Sequence, residues 1–291
     1  MSAQILDGQT LSKEIYGEVL KEVEELKKRG IIPCLSTILV GDDPASLYYA
    51  KSKEKACTRV GIQFEMRKLP SSTSQEDLLR TIQDLNHDPK VHGIMIELPL
   101  PSHIQSQKVN ESLSSQKDVD GFHPENLGRL FLGIPSFIPS TPAGILELLL
   151  RYKIPLKGRE VVMVGRSNIV GKPIALLLAQ KGVDATVTLC HSLTRDIESH
   201  TRRAEILIVA IGKPEFVTGE MIQEGSVVVD VGINEVKDPS NEKGVRICGD
   251  VHFESCKEVA SWITPVPGGV GPVTTAMLLS NVVKASKNQS L

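Results

Sequence analysis

The chain has 291 residues, of which 41% are apolar and 23% charged, and this is an ordinary globular composition. Because a single domain usually has about 100 to 200 residues, the length predicts two domains or one large α/β unit. The formal net charge of −2 and the lack of a dense Lys/Arg stripe argue against nucleic acid or an anionic membrane as partner. Small molecules or copies of the chain itself are the expected partners.

The five cysteines show neither a CxxC pair nor a metal-ligand spacing, and the seven histidines form no cluster in the sequence. We therefore expect a reduced compartment and no metal site. The first 30 residues lack the apolar core of a secretory signal, and no run reaches the roughly 18 apolar residues of a membrane span. These features predict a cytoplasmic protein that does not enter a membrane.

Helices and strands alternate through the first 140 residues. Apolar residues recur at helical spacing before Gly30, and 35–40 is predicted to be a buried strand. A helix over 45–60, a strand over 64–69, a helix capped by Ser74 that ends near 85, and a strand over 93–98 follow. This alternation without hairpin turns predicts a parallel sheet with helices on its faces, in a first domain over 1–141.

A second α/β series follows three prolines, Pro135, Pro139 and Pro142, and a predicted helix over 143–152. Its strands are predicted at 161–164, 185–189, 206–210, 227–231 and 246–248, with the spacing of a doubly wound nucleotide-binding domain. We place this domain at 142–273. A loop over 264–272 then precedes a last helix, about 274–291, which we expect to pack back on the first domain.

A glycine turn between strand and helix marks a candidate phosphate-binding loop. The strand 161–164 is followed by Gly165, Arg166 and Ser167, and then by Gly171 at the start of an apolar helix. Such a turn presents backbone N–H groups and the positive end of a helix dipole to a pyrophosphate. The loop lacks the complete G-x-G-x-x-G pattern, so an ordinary strand-to-helix turn is the alternative interpretation.

The end of the next strand favours NADP over NAD. NAD-binding domains usually place Asp or Glu there to bind the ribose 2′-hydroxyl, whereas this strand ends in Cys190, His191 and Ser192. A carboxylate would repel a 2′-phosphate, but Arg166 and the Ser192 hydroxyl can bind one. The alternative for Arg166 is a solvated loop charge.

Tyr49 and Lys53 are four residues apart on the predicted helix 45–60, so they project from one face and can contact the same ligand. An exposed, charged helix face is the alternative, because Lys51 and Lys55 lie nearby. The Tyr-x-x-x-Lys pattern also occurs in short-chain dehydrogenases, but there it follows the nucleotide loop. Here it precedes Gly165, which disfavours that family.

Five motifs follow one another along the chain: SLYYAKSK at 46–53, GIMIELPLP at 93–101, KDVDG at 117–121, GRS at 165–167 and PGGVGP at 267–272. Taken together in this order and spacing, they closely resemble the bifunctional methylenetetrahydrofolate dehydrogenase/cyclohydrolase family over nearly the whole chain. The resemblance implies an α/β fold with an N-terminal folate-binding catalytic domain, a C-terminal Rossmann-like NADP-binding domain and a substrate cleft between them. It also implies a homodimer that acts in one-carbon metabolism and supports purine biosynthesis.

The same resemblance implies oxidation of 5,10-methylenetetrahydrofolate by NADP, followed by hydrolysis of the methenyl cation to 10-formyltetrahydrofolate. Tyr49 would position the pterin, and Lys53 would serve the proton transfers of the hydrolysis. Asp120 would bind the amino-pyrimidine edge, which a carboxylate can do with two hydrogen bonds. From the residues alone, Asp118 and Asp120 could equally be turn residues before Gly121.

Further residues are assigned to the two ligands by the same resemblance. The motif 93–101 contributes Ile96, Glu97 and Leu98 to the substrate site. The glycine-rich loop is expected to close over the reacting carbon, because glycine lets the backbone approach a ligand closely; its residues are Pro267, Gly268, Gly269, Gly271 and Pro272. Ile233 would border the cofactor, and Thr274 would open the last helix beside it.

One residue departs from the family pattern, which has Gln where this chain has Glu97. A carboxylate beside Lys53 would favour its ammonium form, whereas a lysine that acts as a base must lose its proton. We therefore expect the hydrolysis to be the weaker activity, or lost; alternatively, Glu97 itself takes over a proton-transfer role. A non-catalytic NADP-binding sensor is the hypothesis outside enzymes, and the set of Tyr49, Lys53 and Asp120 disfavours it.

Overall fold

The structure is a computed structural model that describes residues 2–134, 137–240 and 244–290. These residues form two compact units, one made of 2–12 and 141–274 and the other of 13–140 and 275–290. One division between the units lies near residue 141, and residues 2–12 group with 141–274. The domain limits 1–141 and 142–273, and the substrate cleft, stay predictions.

The helices and strands are labelled in chain order. The strands are β1 (Gln4–Ile5), β2 (Cys34–Val40), β3 (Gln63–Leu69), β4 (Gly93–Ile96), β5 (Glu160–Val164), β6 (Thr186–Cys190), β7 (Ile206–Val209), β8 (Val227–Asp230), β9 (Asn234–Lys237), β10 (Val245–Cys248) and β11 (Trp262–Ile263). The helices are α1 (Gly8–Lys28), α2 (Pro44–Val60), α3 (Gln75–His87), α4 (Ser106–Ser112), α5 (Pro124–Leu132), α6 (Ser140–Arg151), α7 (Gly171–Ala179), α8 (Ile197–Thr201), α9 (Phe253–Lys257) and α10 (Val270–Asn288).

The unit 13–140 contains a parallel sheet with strand order β3-β2-β4. Every residue of the central strand β2 is buried, as expected of a parallel strand covered on both faces. The predicted cap of α3 is confirmed, since the Ser74 hydroxyl accepts a hydrogen bond from the Asp77 N–H. Helix α2 ends at Gly61, whose φ of 77° is the left-handed conformation that glycine adopts without strain.

The other unit contains a parallel sheet with strand order β1-β11-β8-β7-β5-β6. Strands β7 and β8 are buried along their whole length, in an apolar core that includes Val162, Leu207 and Val228. The predicted α/β class, with parallel sheets in two domains, is confirmed.

Several predicted elements differ from the structure. The strand predicted at 246–248 is not in the parallel sheet, because β10 pairs antiparallel with β9 in a separate hairpin. The last helix begins at Val270 rather than at Thr274, since Pro272 in the first turn needs no hydrogen-bonded N–H. Helix α6 likewise begins at Ser140 instead of 143, with Pro142 in its first turn. Pro135 lies outside the described residues.

Within the described ranges, no helix is long and apolar enough to cross a membrane.

Candidate active site

Helix α2 carries Tyr49 and Lys53 on one face. Its start is fixed by Asp43, whose carboxylate accepts hydrogen bonds from the backbone N–H and the hydroxyl of Ser46 at 2.8 and 2.7 Å. Tyr49 is 45% exposed and stacks edge-to-face with Tyr48. The side chain of Lys53 is only 13% exposed, so the alternative of a solvated helix face does not hold for this lysine.

The ammonium of Lys53 forms an ion pair with Glu97. Its Nζ lies 2.8 Å from both carboxylate oxygens, and the Glu97 side chain is 5% exposed. Glu97 directly follows β4, and its N–H donates to the Ile38 carbonyl at 2.9 Å, which holds the residue at the carboxyl end of the sheet. The ion pair expected from the sequence therefore forms, although β4 ends at Ile96 and not at Leu98.

The residues on either side of Glu97 have different environments. Ile96 is in the apolar core of this unit, whereas Leu98 is 48% exposed. The Leu98 carbonyl accepts a hydrogen bond from the Ser46 hydroxyl at 3.0 Å. The start of α2 and the segment after β4 are thus tied together beside the Lys53–Glu97 pair.

The two carboxylates before Gly121 have separate roles. Asp118 is fully buried and accepts hydrogen bonds from the backbone N–H groups of Gly121 and His123 and from the Asn126 amide. It is the turn residue that the sequence allowed at this position. Asp120 is not needed for that turn, so its carboxylate can serve a ligand.

The pKa of Asp120 is raised to about 7. Burial is the largest cause, and the negative charges of Asp118 and Glu97 raise it further, while Lys53 and the Ser140 hydroxyl lower it. Lys53 and Glu97 are therefore near enough to Asp120 to influence its charge, and we treat the three side chains as one charged group. This group contains an ammonium that can donate protons and a carboxyl that titrates near neutral pH.

The candidate nucleotide loop lies in the other unit, between β5 and α7. Gly165 has a φ of 126°, and a Cβ on it would lie 2.2 Å from the Ala210 carbonyl oxygen, so the turn requires glycine. A Cβ on Gly171 would lie 2.2 Å from the Gly165 carbonyl oxygen. The Ser167 hydroxyl accepts hydrogen bonds from the N–H groups of Val170 and Gly171, so two of the backbone donors suggested for a pyrophosphate are engaged by this side chain.

Arg166 and Ser192, predicted to bind a 2′-phosphate, are both exposed, after β5 and after β6 respectively. The turn that presents Ser192 is held by the ring of His191, whose Nδ1 accepts the Leu193 N–H at 3.2 Å. His191 therefore stabilises this turn. None of the residues at the end of this strand, Cys190, His191 and Ser192, carries a carboxylate, so none of the three would repel a phosphate.

The glycine-rich loop is anchored on the start of α1. The Gln9 N–H donates to the Gly268 carbonyl at 3.1 Å, and a Cβ on Gly8 would lie 1.7 Å from the Gly269 carbonyl oxygen. Pro267 is exposed, while Gly271 and Pro272 belong to the first turn of α10. The Thr274 hydroxyl lies 3.2 Å from both the Thr141 hydroxyl and the Val270 carbonyl, so Thr274 is inside the helix rather than at its opening.

Two family models match this chain and together cover most of it. The catalytic domain of tetrahydrofolate dehydrogenase/cyclohydrolase matches residues 6–120, and the NAD(P)-binding domain of the same family matches residues 139–290. The chain belongs to the tetrahydrofolate dehydrogenase/cyclohydrolase family. The family predicted from the five sequence motifs is therefore confirmed.

Individual relatives support the same conclusion over the full length. The bifunctional protein FolD of Moorella thermoacetica is 54% identical over 287 residues, which cover 99% of this chain and all of that protein. The crystal structure of FolD from Campylobacter jejuni is 48% identical and has a TM-score of 0.94 over 99% of both chains. FolD of Trypanosoma brucei, solved with NADP and an inhibitor, is 39% identical, with a TM-score of 0.95 over 100% of this chain and 99% of that one.

Sequence reasoning missed some residues that support the site of this family member. Asp43 followed by Pro44 and Ser46 is a pattern typical of a helix start, and it could have predicted the residue that caps α2. Ser140 is buried close enough to Asp120 to lower its pKa, and the only local signal was a serine before Thr141 and Pro142 at a helix start. Its proximity to Asp120 could not be predicted from spacing.

Proposed function

We propose that this chain catalyses the NADP-dependent oxidation of 5,10-methylenetetrahydrofolate to 5,10-methenyltetrahydrofolate and the hydrolysis of this product to 10-formyltetrahydrofolate. The observation that carries the proposal is the buried Lys53–Glu97 ion pair beside Asp120, within a chain that matches both domain models of the family. A sensor protein would have no need of a desolvated ammonium at this place.

In the substrate site, Tyr49 packs its half-exposed ring against the pterin, and the Asp120 carboxylate accepts hydrogen bonds from the amino-pyrimidine edge. The hydrolysis must remove a proton from the attacking water, and Lys53 can accept it as the neutral amine. The ammonium that then forms stabilises negative charge that develops on the oxygen. Leu98 borders the pterin in the unit that contains α2. In the other unit, the backbone of the glycine-rich loop, from Pro267 to Pro272, can approach a ligand closely.

The residues of the nucleotide unit fit NADP. Gly165, Arg166 and Ser167 bind the pyrophosphate side, and Arg166 together with Ser192 binds the 2′-phosphate by charge and hydrogen bonding. Ile233 and Thr274 border the nicotinamide. Bound NADP supplies the hydride acceptor, while the protein orients it and keeps water out.

Assembly and location complete the proposal. A homodimer is implied by the family, and light scattering of the purified protein should give twice the mass of 31.7 kDa. Cytoplasmic location is supported by the five cysteines, all of which are buried and free of disulfides in this structure. A measured monomer mass would remove the first of these two proposals and leave the second standing.

One assay tests the activity. The enzyme is mixed with 5,10-methylenetetrahydrofolate and NADP, and the formation of NADPH and the decay of the methenyl product are followed separately. Both signals are expected, with methenyl decay the slower. NADPH formation without enzyme-dependent methenyl decay would leave only a dehydrogenase, and the absence of both signals would contradict the proposal.

A further inference from the structure

Two buried aspartates, Asp230 and Asp250, meet at the carboxyl end of the parallel sheet that contains β7 and β8. Asp230 is 3% exposed and Asp250 is fully buried. The Asp230 carboxylate accepts hydrogen bonds at 2.9 Å from the N–H groups of Gly232, Asp250 and Val251. These donors lower the pKa of Asp230, but burial has the larger effect and raises it to about 7.

Asp250 binds a different set of donors. Its carboxylate accepts the N–H groups of Ile211, Gly212 and Lys213, at 2.6, 2.9 and 2.9 Å, and the side-chain amide of Asn234 at 2.9 Å. These residues follow β7 and begin β9. The two aspartates therefore connect the chain after β7, the chain after β8 and the segment 249–251.

Two glycines allow the backbone to close around the carboxylates. A Cβ on Gly249 would lie 1.7 Å from Oδ2 of Asp230, and a Cβ on Gly232 would lie 2.4 Å from Oδ1 of Asp250. A side chain at either position would displace a carboxylate from its donors. The close approach of the backbone to the two carboxylates therefore requires glycine at positions 232 and 249.

The pair fixes the position of Ile233. Its neighbours Gly232 and Asn234 are bound to Asp230 and Asp250 respectively, and its own side chain is 54% exposed. The main chain of Asp230, and not its carboxylate, donates a hydrogen bond to the Thr264 hydroxyl at 2.7 Å. Ile233 Cδ1 lies 4.0 Å from where a Cβ on Gly271 would be.

The strand order indicates which half of a dinucleotide these segments face. Dinucleotides bind across the carboxyl ends of the strands in doubly wound sheets. Gly165 and Ser192 follow β5 and β6, on one side of the sheet, whereas the aspartate pair follows β7 and β8 on the other side. With the 2′-phosphate end at β5 and β6, the nicotinamide end lies over β7 and β8.

We propose that Asp230 and Asp250 are positioning residues that hold Ile233 against the nicotinamide half of NADP. They act through Gly232 and Asn234 and do not touch the cofactor. This inference rests on the proposed function, because it takes NADP as the dinucleotide.

The test replaces Asp250 with Asn in the full-length protein. An amide in place of the carboxylate directs its own N–H groups at backbone donors, so part of the set of bonds is lost. The turnover of methylenetetrahydrofolate oxidation is expected to fall roughly tenfold or more, because a small misplacement of the nicotinamide is costly. Hydrolysis of added methenyltetrahydrofolate should stay within twofold of the wild type.

A binding measurement separates positioning from a general loss of structure. Asp250→Asn should weaken binding of NADP but leave unchanged the binding of adenosine 2′,5′-bisphosphate, which lacks the nicotinamide. Ser226→Ala is the matched control. Ser226 is also buried in this unit, but it precedes β8 and so lies at the amino end of the strand, away from the aspartate pair. It should change neither ligand's affinity.

The outcomes are distinguishable from failure of the proposed function. If wild-type enzyme oxidises methylenetetrahydrofolate but Asp250→Asn does so equally well, or loses affinity for both ligands alike, the positioning role is wrong. If the wild type shows no oxidation, the proposed function fails first. Should Asp250→Asn not fold, Asn234→Ala removes one bond to Asp250 and must reproduce the selective loss of NADP affinity in smaller measure.

Discussion

Lys53 Nζ is equidistant from the two carboxylate oxygens of Glu97, at 2.8 Å from each. A two-oxygen contact of this kind, between side chains that are both mostly buried, holds the ammonium in one position against the carboxylate. A neutral glutamine at the same place would offer a single oxygen acceptor. The pair therefore restrains the residue that the hydrolysis uses.

Glu97→Gln should release this restraint. We expect methenyl hydrolysis to rise about fivefold, the change that corresponds to about 1 kcal/mol in the barrier, with little change in oxidation. Separate rate measurements of methenyl hydrolysis and of methylenetetrahydrofolate oxidation check this. A fall in hydrolysis would instead identify Glu97 as the proton-transfer group, and unchanged rates would show that Glu97 does not contact the reacting groups.

Lys53→Met should largely abolish methenyl hydrolysis and leave substantial NADPH formation, because hydride transfer depends mainly on orientation. The substitution also leaves Glu97 buried without its cation, which costs about 3 to 5 kcal/mol of stability. The double variant Lys53→Met/Glu97→Gln removes both charges and serves as the control. It should recover the lost thermal stability without recovering hydrolysis; survival of hydrolysis in either variant contradicts the role of Lys53.

Asp120 should make the stability depend on pH. Its pKa is raised to about 7 in the folded chain, whereas an unfolded aspartate titrates near 3.9, so the folded state binds the proton more tightly. Its contribution to the free energy of unfolding is then largest below about pH 4 and falls as the pH rises to about 7. Asp120→Asn removes this pH-dependent contribution to the free energy of unfolding.

Thermal unfolding between pH 4 and pH 8 checks that expectation. The melting temperature of Asp120→Asn, relative to the wild type, should increase with pH and be highest above pH 7. Asp84→Asn, at an exposed carboxylate on α3, is the matched control and should show a difference that varies little over the range from pH 5 to 8. A pH-independent difference for Asp120→Asn would refute the raised pKa.

Arg166→Ala should weaken NADP binding about tenfold or more while affecting NAD little, since a hydrogen bond between charged groups contributes about 1.5 to 3 kcal/mol. Titration of both dinucleotides measures the ratio. Lys181→Ala, which removes an exposed positive charge elsewhere in the same unit, controls for the change in net charge. Equal affinity of the wild type for NADP and NAD would contradict the assignment.

Local signals were sufficient for much of the fold. Apolar periodicity and the Gly61 stop located α2, and a serine followed by acidic residues located the start of α3. Strands of two residues, such as β1 and β11, carry no periodicity and could not be found. Strand β10 was predicted, but β9 and the antiparallel pairing of the two strands were not, because residues 238–244 contain no two-residue turn signal.

Site residues could be predicted where they lie on the same helix or strand. They could not be predicted where the fold brings distant segments together. Tyr49 and Lys53 share a helix face, so their proximity follows from spacing. Asp118 and Asp120 are chemically identical and two residues apart, and only the donors around Asp118 assign it to the turn. The aspartates 230 and 250 lie in different segments, and no sequence rule joins them.

The pairing of β1 with β11 has a consequence for biosynthesis. Gln4 is opposite Trp262 in this edge of the sheet, and the Ala3 N–H donates to the Lys257 carbonyl. During translation, residues 3–6 leave the ribosome long before their partners exist, so the nascent chain carries an unpaired segment until nearly all of it has been made. The edge of this sheet is therefore completed late, after contacts within 13–140 have had time to form, and the long sequence separation slows the step.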